Sequence, residues 1–280
     1  MGLHGGFMFT RYLLSMSLLF TFTLPAFAQY PWQFRWQKGQ QLTYRIKHIT
    51  TATEVVEASK LVSSAHLDLV NRWQVLDIDA KGVATLSLTL VSMRNEQKRG
   101  SGETLLFDSE NLEKSTPELR EQMKKYIGQT LAVLRLDGYG RVVEVKQGNA
   151  ASYEAEPPFV VVFPDAKAAE GQAWRRPFNL VLDPPHGTGE KIEADQRFEC
   201  KKIDAGKATL SLTTTIKSKL DNSRDRLPLL QREVEGDVVI DLPNGRLLSA
   251  RLNIDNTVEN HQGKGSSYRF QSEYSRQLVE

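Results

Sequence analysis

In the stretch "QYPWQFRWQKG" aromatic residues recur at every second position: Tyr30, Trp32, Phe34 and Trp36. In an extended chain alternate residues share a face, so the four rings line one side while Gln33, Arg35 and Gln37 line the other. Flat rings on one face can stack on sugars or grip acyl chains. The same row also suits a first strand that buries its aromatic face in a core, which is the commoner use of large rings. These four residues are the candidate ligand-binding row.

The remaining chemistry-bearing residues form no recognised constellation. His48, His66, His186 and His261 share no paired metal-ligand spacing, so no metal site is predicted. His48 and His66 fall on predicted strands, where two rings could meet across a sheet. Cys200 is the single cysteine; it makes no internal disulfide. Its position in a repeated hairpin, where the other copy has Val75, marks it as a small buried side chain and not a nucleophile. The "LDPPHGTGEK" stretch (Leu182 to Lys191) reads as a surface turn; GxxxxGK[ST], GxSxG and SxxK motifs are absent. Carboxylates are scattered, so a hydrolytic pair would have to be assembled by folding. No catalytic residue, metal or cofactor is assigned.

Charge narrows the partners. Lys and Arg number 36 and Asp and Glu 34, a formal net charge of +2. A nucleic-acid binder concentrates basic residues on one face, and a membrane-surface binder carries a polybasic run; the sequence shows neither.

The elements that must position any site are mostly strands. "IDAKGVATLSL" (Ile78 to Leu88) is echoed by "IDAGKATLSL" (Ile203 to Leu212). In both, leucine and alanine alternate with serine and threonine, the period of a half-buried strand. Asp and Gly supply the turn chemistry before each. "LRLDGYGRVVEV" (Leu134 to Val145) is echoed by "IDLPNGRLLSA" (Ile240 to Ala250), and Gly39-Gln40 by Gly171-Gln172. Three echoes in the same order predict a duplicated β unit. Between the paired hairpins, Thr116, Pro117, Glu118 and Gly128 frame one helix near 117–127, with Leu119, Met123 and Ile127 on one stripe. The matching stretch "DNSRDRLPLLQREVEG" has room for a brief helical turn at most. "FVVVF" (Phe159 to Phe163) reads as a buried strand.

The fold class expected is mainly β: two pseudo-repeated antiparallel units, as curved sheets or a sandwich or half-barrel, with one clear helix. The units are expected to pack sheet on sheet. Arg11, the apolar run from Tyr12 to Leu24, and Ala26-Phe27-Ala28 before Gln29 have the layout of a secretory signal peptide. The run is too short for a comfortable membrane span. The expected organisation is a signal peptide at 1–28, a first β unit with the helix at 29–155, and a second β unit at 156–280. Such a chain would be exported, to a periplasm or beyond, with no transmembrane span after cleavage.

Trp36, Gly39, Leu42 and Tyr44, the segment from Trp73 to Leu88, and "FPDAKAAEGQAW" (Phe163 to Trp174) resemble a family of exported all-β proteins common in planctomycete-type bacteria. That family has no agreed activity, so the resemblance implies export and a β fold, and no catalytic residues. A looser fold-level similarity is to envelope carriers of lipoproteins and lipids, in which a half-barrel wraps an apolar cavity. Three functions follow as expectations: a non-enzymatic envelope protein binding a protein or polymer partner, a carrier of an apolar ligand held between the sheets, and a hydrolase of cell wall or polysaccharide.

Overall fold

The computed structural model describes residues 30–182, 189–220 and 223–279. The proposed signal peptide, His186 and most of the "LDPPHGTGEK" turn lie outside the described residues. The chain is mainly β. Its first unit contains β1 (Gln41–Val56), β2 (Ser59–Ile78), β3 (Ala84–Lys98), the short β4 (Thr104–Asp108), β5 (Thr130–Leu136) and β6 (Val142–Gln147). The second contains β7 (Ala173–Leu182), β8 (Glu190–Asp204), β9 (Lys207–Ile216), β10 (Glu235–Asp241), β11 (Arg246–Glu259) and β12 (Ser267–Leu278).

All of these strands belong to one antiparallel sheet in the order β6-β5-β3-β2-β1-β12-β11-β10-β9-β8-β7, with β4 added beside β3. The two units therefore do not pack face to face as expected; they join edge to edge. β12 is long enough to pair with β11 on one side and with β1, from Tyr44↔Leu278 to Val55↔Ser267, on the other. Neither unit keeps an inner edge with unpaired main-chain groups. The sheet is curved and unclosed, as long twisted strands favour, and one core cluster runs from Leu134 of β5 to Phe198 of β8.

The duplication is visible in hydrogen bonds. Gly39 N–H donates to Val75 O and Val75 N–H to Gln40 O, each at 2.9 Å. Gly171 N–H donates to Cys200 O and Cys200 N–H to Gln172 O, each at 2.8 Å. Both glycines have positive φ, 82° and 75°, which L side chains adopt only with strain. The ladder shifts register just after Val75 and again just after Cys200, so even the bulge is repeated. The hairpin turns differ by the one residue missing from the second copy: Asp79 Oδ1 accepts from Lys81 and Val83 N–H, whereas Ala205 and Gly206 make a tight turn with both φ positive.

The expected helix is α1 (Pro117–Met123), continued by a 3-10 turn through Tyr126. Leu119, Met123 and Ile127 are its half-buried stripe. Thr116 precedes it without a side-chain cap; its hydroxyl instead accepts from Leu106 N–H at 3.0 Å. In the second unit, α3 (Ser223–Arg226) and the 3-10 turn Leu227–Arg232 bury Leu229 and Leu230.

β6 and β7 stand at opposite ends of the sheet, so the chain between them has to cross it. The crossing holds α2 (Ala150–Ala155) and then an irregular strap. "FVVVF" lies in this strap and not in a strand. Phe159, Val161 and Phe163 are buried in the main core, and Val160 takes a positive φ of 68°. Among the described residues no helix is long and apolar enough to cross a membrane.

Candidate functional site

The antiparallel order brings the turns 79–83, 137–141, 204–206 and 242–245 to one end of the sheet, with the starts of β1 and β7. The aromatic row closes this end. Phe34 N–H donates to Gly138 O at 2.7 Å and Arg35 N–H to Gly245 O at 3.0 Å, lacing together the equivalent turns of the two units. Trp32 N–H donates to Ala166 O of the strap, and its indole N–H to Gln172 Oε1 at 2.7 Å.

The row is not a regular strand. Trp32 stacks on Phe163 with ring centroids 5.5 Å apart, and Phe34 stacks on Trp36 at 5.2 Å. Trp32 and Phe34 are buried, while Tyr30 and Trp36 pack half-buried against the same core. The structure thus brings the four residues together as packing at the sheet's closed end, and none of them lines the cavity described next.

Away from the closed end the concave face forms a half-open cavity of about 750 Å³. Its volume lies within the range of small-molecule sites. Leu252, Ile254, Phe270, Phe178 and Leu180 form apolar parts of the wall, and the crossing segment contributes Tyr153 of α2 and Val160 of the strap. Period-two alternation puts these side chains inward.

Polar side chains make up about half of the lining, and several of them are paired with one another. His48 Nε2 and Ser272 Oγ are 2.8 Å apart, and burial holds the imidazole below its ordinary pKa. Gln196 Oε1 accepts from Arg176 Nε at 2.9 Å. Glu156 of the strap forms an ion pair with Arg232 of the 227–232 turn, and both line the cavity. Arg176 Nη2 also donates to Ala155 O at 2.9 Å, so the end of α2 is held by an arginine of β7.

Arg276 of β12 sits deeper. It is 5% exposed, and its Nη1 donates to Pro158 O at 2.5 Å. The guanidinium lies 4.2 Å over the Tyr44 ring. Burial pushes the Tyr44 phenol far above its ordinary pKa, and its hydroxyl donates to Leu247 O at 3.0 Å.

Of the described residues singled out for metal or nucleophilic chemistry, His48 alone reaches the cavity. His48 pairs with Leu67 in register and His66 with Ile49, so the two rings point to opposite faces of the sheet and do not meet. His66 lies 3.2 Å from Asp68, and His261 3.0 Å from Glu54 near the β11–β12 tip; none of these lines the cavity. Among the described residues no group of three potential ligands could hold a metal ion. Cys200 is a buried free thiol whose pKa is raised by burial. Glu156 is the single carboxylate lining the cavity among the described residues.

Arg276 was missed at the level of sequence, yet a signal exists. In "SYRFQSEYSRQL" the apolar phase runs Tyr268, Phe270, Ser272, Tyr274, Arg276, Leu278. An arginine on the buried phase of an alternating strand marks a buried cation.

No protein-family model matches the chain, and no curated protein matches it. One solved structure aligned to it is that of DynF from the dynemicin biosynthesis pathway of Micromonospora chersina. The alignment has 8% identity, covers 91% of this chain and 86% of that one, and has a TM-score of 0.22, too low to carry fold or function.

Proposed function

We propose that this protein is an exported, non-enzymatic binder and carrier of an apolar or amphiphilic ligand, held in the concave cavity of its sheet. The supporting observation is the cavity itself. A space of about 750 Å³ with an apolar wall from Leu252, Ile254, Phe270, Phe178 and Leu180 and polar groups around it, beside a solid aromatic core on the same face, suits an amphiphile whose hydrocarbon is kept from water. Export is supported by the signal-like layout of residues 1–28. The test is native mass spectrometry of protein purified from a membrane-containing host, with solvent extraction and titration of delipidated protein with a neutral apolar dye. A reproducible extractable mass and saturable dye binding are the expected results. Absence of both overturns the reading.

Binding of a protein or polymer partner has a smaller basis in the two free sheet edges, where a partner strand can add. Both edges are guarded. β7 carries Arg175, Arg176 and Pro177, and β6 spans six residues with Lys146 in it. A hydrolase of polysaccharide needs two carboxylates facing one space, and a single one lines this cavity among the described residues.

A further inference from the structure

The wall of the cavity contains a buried cation with unused hydrogen-bonding capacity. Nε and Nη2 of Arg276 are buried without a hydrogen-bond partner, while Nη1 is taken by Pro158 O. Among the described residues no carboxylate forms an ion pair with it, and the Tyr274 phenol interacts with the guanidinium without satisfying both open nitrogens. Arginine keeps its proton in proteins, so burial does not neutralise it. A buried guanidinium with open N–H groups is costly unless something accepts from them. Holding the strap at Pro158 uses one nitrogen, and a single phenol oxygen takes up less than the other edge can donate.

Two more unpartnered polar atoms share this region. Trp73 Nε1 is a buried donor, and its ring centroid is 5.5 Å from that of Phe159, whose ring also lies 5.5 Å from the Arg276 guanidinium. Asn71 Oδ1 is a buried acceptor on the residue that faces Tyr44 across β1 and β2. A half-turn of that amide would present its NH₂ instead.

We propose that the cavity takes a single acyl chain ending in a carboxylate, with the carboxylate bound to the Nε/Nη2 edge of Arg276. This rests on the carrier reading above and names its ligand class. Nε and Nη2 present parallel N–H groups that match the two oxygens of a carboxylate. One positive charge is balanced by one negative charge; a dianionic phosphate would leave excess charge in a buried place. The ladder gives the direction of the chain. From the closed end outward the inward positions run Ile46 and Arg276, then His48 and Tyr274, then Thr50 and Ser272, then Ala52 and Phe270. The head therefore lies deep, and the tail extends along Phe270, Ile254 and Leu252. Tyr44, Phe159 and the strap shield the free edge, so entry of the head requires the strap to yield at Pro158.

The experiment is displacement of a neutral apolar dye from delipidated protein by oleate, methyl oleate and oleyl alcohol, which share one chain. It is run on the wild type and on Arg276→Met, which keeps an unbranched side chain of similar length. Oleate is expected to bind the wild type about ten-fold or more tightly than its ester or alcohol, the worth of one charged bidentate contact. In Arg276→Met oleate is expected to fall to the level of the ester, both displacements being read against the variant's own dye affinity. Equal binding of acid, ester and alcohol to the wild type overturns the carboxylate assignment and leaves the carrier reading standing, as does an oleate preference that survives in Arg276→Met. No dye binding at all overturns the carrier reading, and this assignment with it. If Arg276→Met does not fold, the acid–ester comparison on the wild type decides.

Discussion

The two ends of the concave face are built from the same strands and end differently. At the closed end, inward residues such as Leu42, Leu86, Leu134 and Leu210 meet a plug made of Trp32, Phe34, Phe159 and Phe163, and all eight are at least nine-tenths buried. Toward the other end, the inward residues of β1, β2 and β12 shrink or turn polar: Thr50, Ala52, Ser63, Ala65 and Ser272. Nothing as large as the plug fills the space between them, and the cavity opens there. Fold and site are thus separated along one set of strands. The plugged end fixes the curvature, and the rungs beyond it are free to vary in size and polarity.

The largest expected effect breaks the plug. Trp32→Ala should cost about 3–5 kcal/mol of stability, the usual range for an aromatic removed from a packed core. Leu252→Ala, whose side chain already borders the cavity, should cost less than about 2 kcal/mol, because little new void is created. Urea denaturation of both variants checks the difference. Equal losses would mean that the cavity end is packed as tightly as the plug.

Glycine substitutions sharpen the same contrast. Gly140 in the β5–β6 turn has φ +83°, and a Cβ there would lie 2.6 Å from the Phe34 ring and 2.9 Å from Val161 O. Gly102, in the β3–β4 turn at the far end, has φ +88° and nothing within 4 Å of an added Cβ. Gly102→Ala should cost about 1 kcal/mol from backbone strain alone. Gly140→Ala adds a clash with backbone and with a buried ring, and should cost at least about twice as much. Thermal melts of the two single variants read this directly.

What the sequence made legible follows the same division. The echoes at Ile78 and Ile203, at Leu134 and Ile240, and at Gly39 and Gly171 all fall at the plugged end. There, tight turns and bulges demand particular residues, so similarity persists in the letters. The alternation of β3 and β9 and the stripe Leu119, Met123, Ile127 were readable because burial has a period. Two features were not readable. The edge-to-edge joining of the units depends on β12 pairing with β1, more than two hundred positions away, and alternation looks alike in either packing. The strap reads as a strand because Phe159 to Phe163 is apolar throughout and bounded by prolines; what distinguishes it is the absence of a ladder partner, which local sequence does not encode. The cavity arises from small residues on several strands, and its one local trace, Arg276 in the buried phase of β12, is not singled out by the sequence reading.

A pH effect tests the cavity end specifically. Burial lowers the pKa of His48 below the ordinary 6.5. The sign follows from linkage. Below about 6.5 the unfolded chain binds a proton that folded His48 still refuses, so stability falls with falling pH through that window until the folded pKa is passed. His48→Gln, which keeps a polar contact for Ser272, should flatten that part of the profile. Melting temperatures between pH 7.5 and 5 compare the two proteins. A profile identical in both would show that the imidazole is well solvated, and hence that this rung of the cavity is wet.

The smallest effect on stability is expected where the strap meets the 227–232 turn. Glu156 and Arg232 have half-exposed to exposed side chains, 70% and 44%, so their ion pair is well screened. Glu156→Gln should change stability by less than about 1 kcal/mol. The pair nevertheless joins two segments that both line the cavity, and neither segment is tied into the sheet by a ladder. Loosening it should leave the plugged end untouched and speed exchange through the wall. The expected signature is faster release of a bound dye by stopped-flow, at nearly unchanged melting temperature, with a further increase at high salt in the wild type but not in the variant. If release is unaltered while Trp32→Ala speeds it, the wall that yields lies at the aromatic end, and the division of labour between the two ends is the reverse of the one argued above.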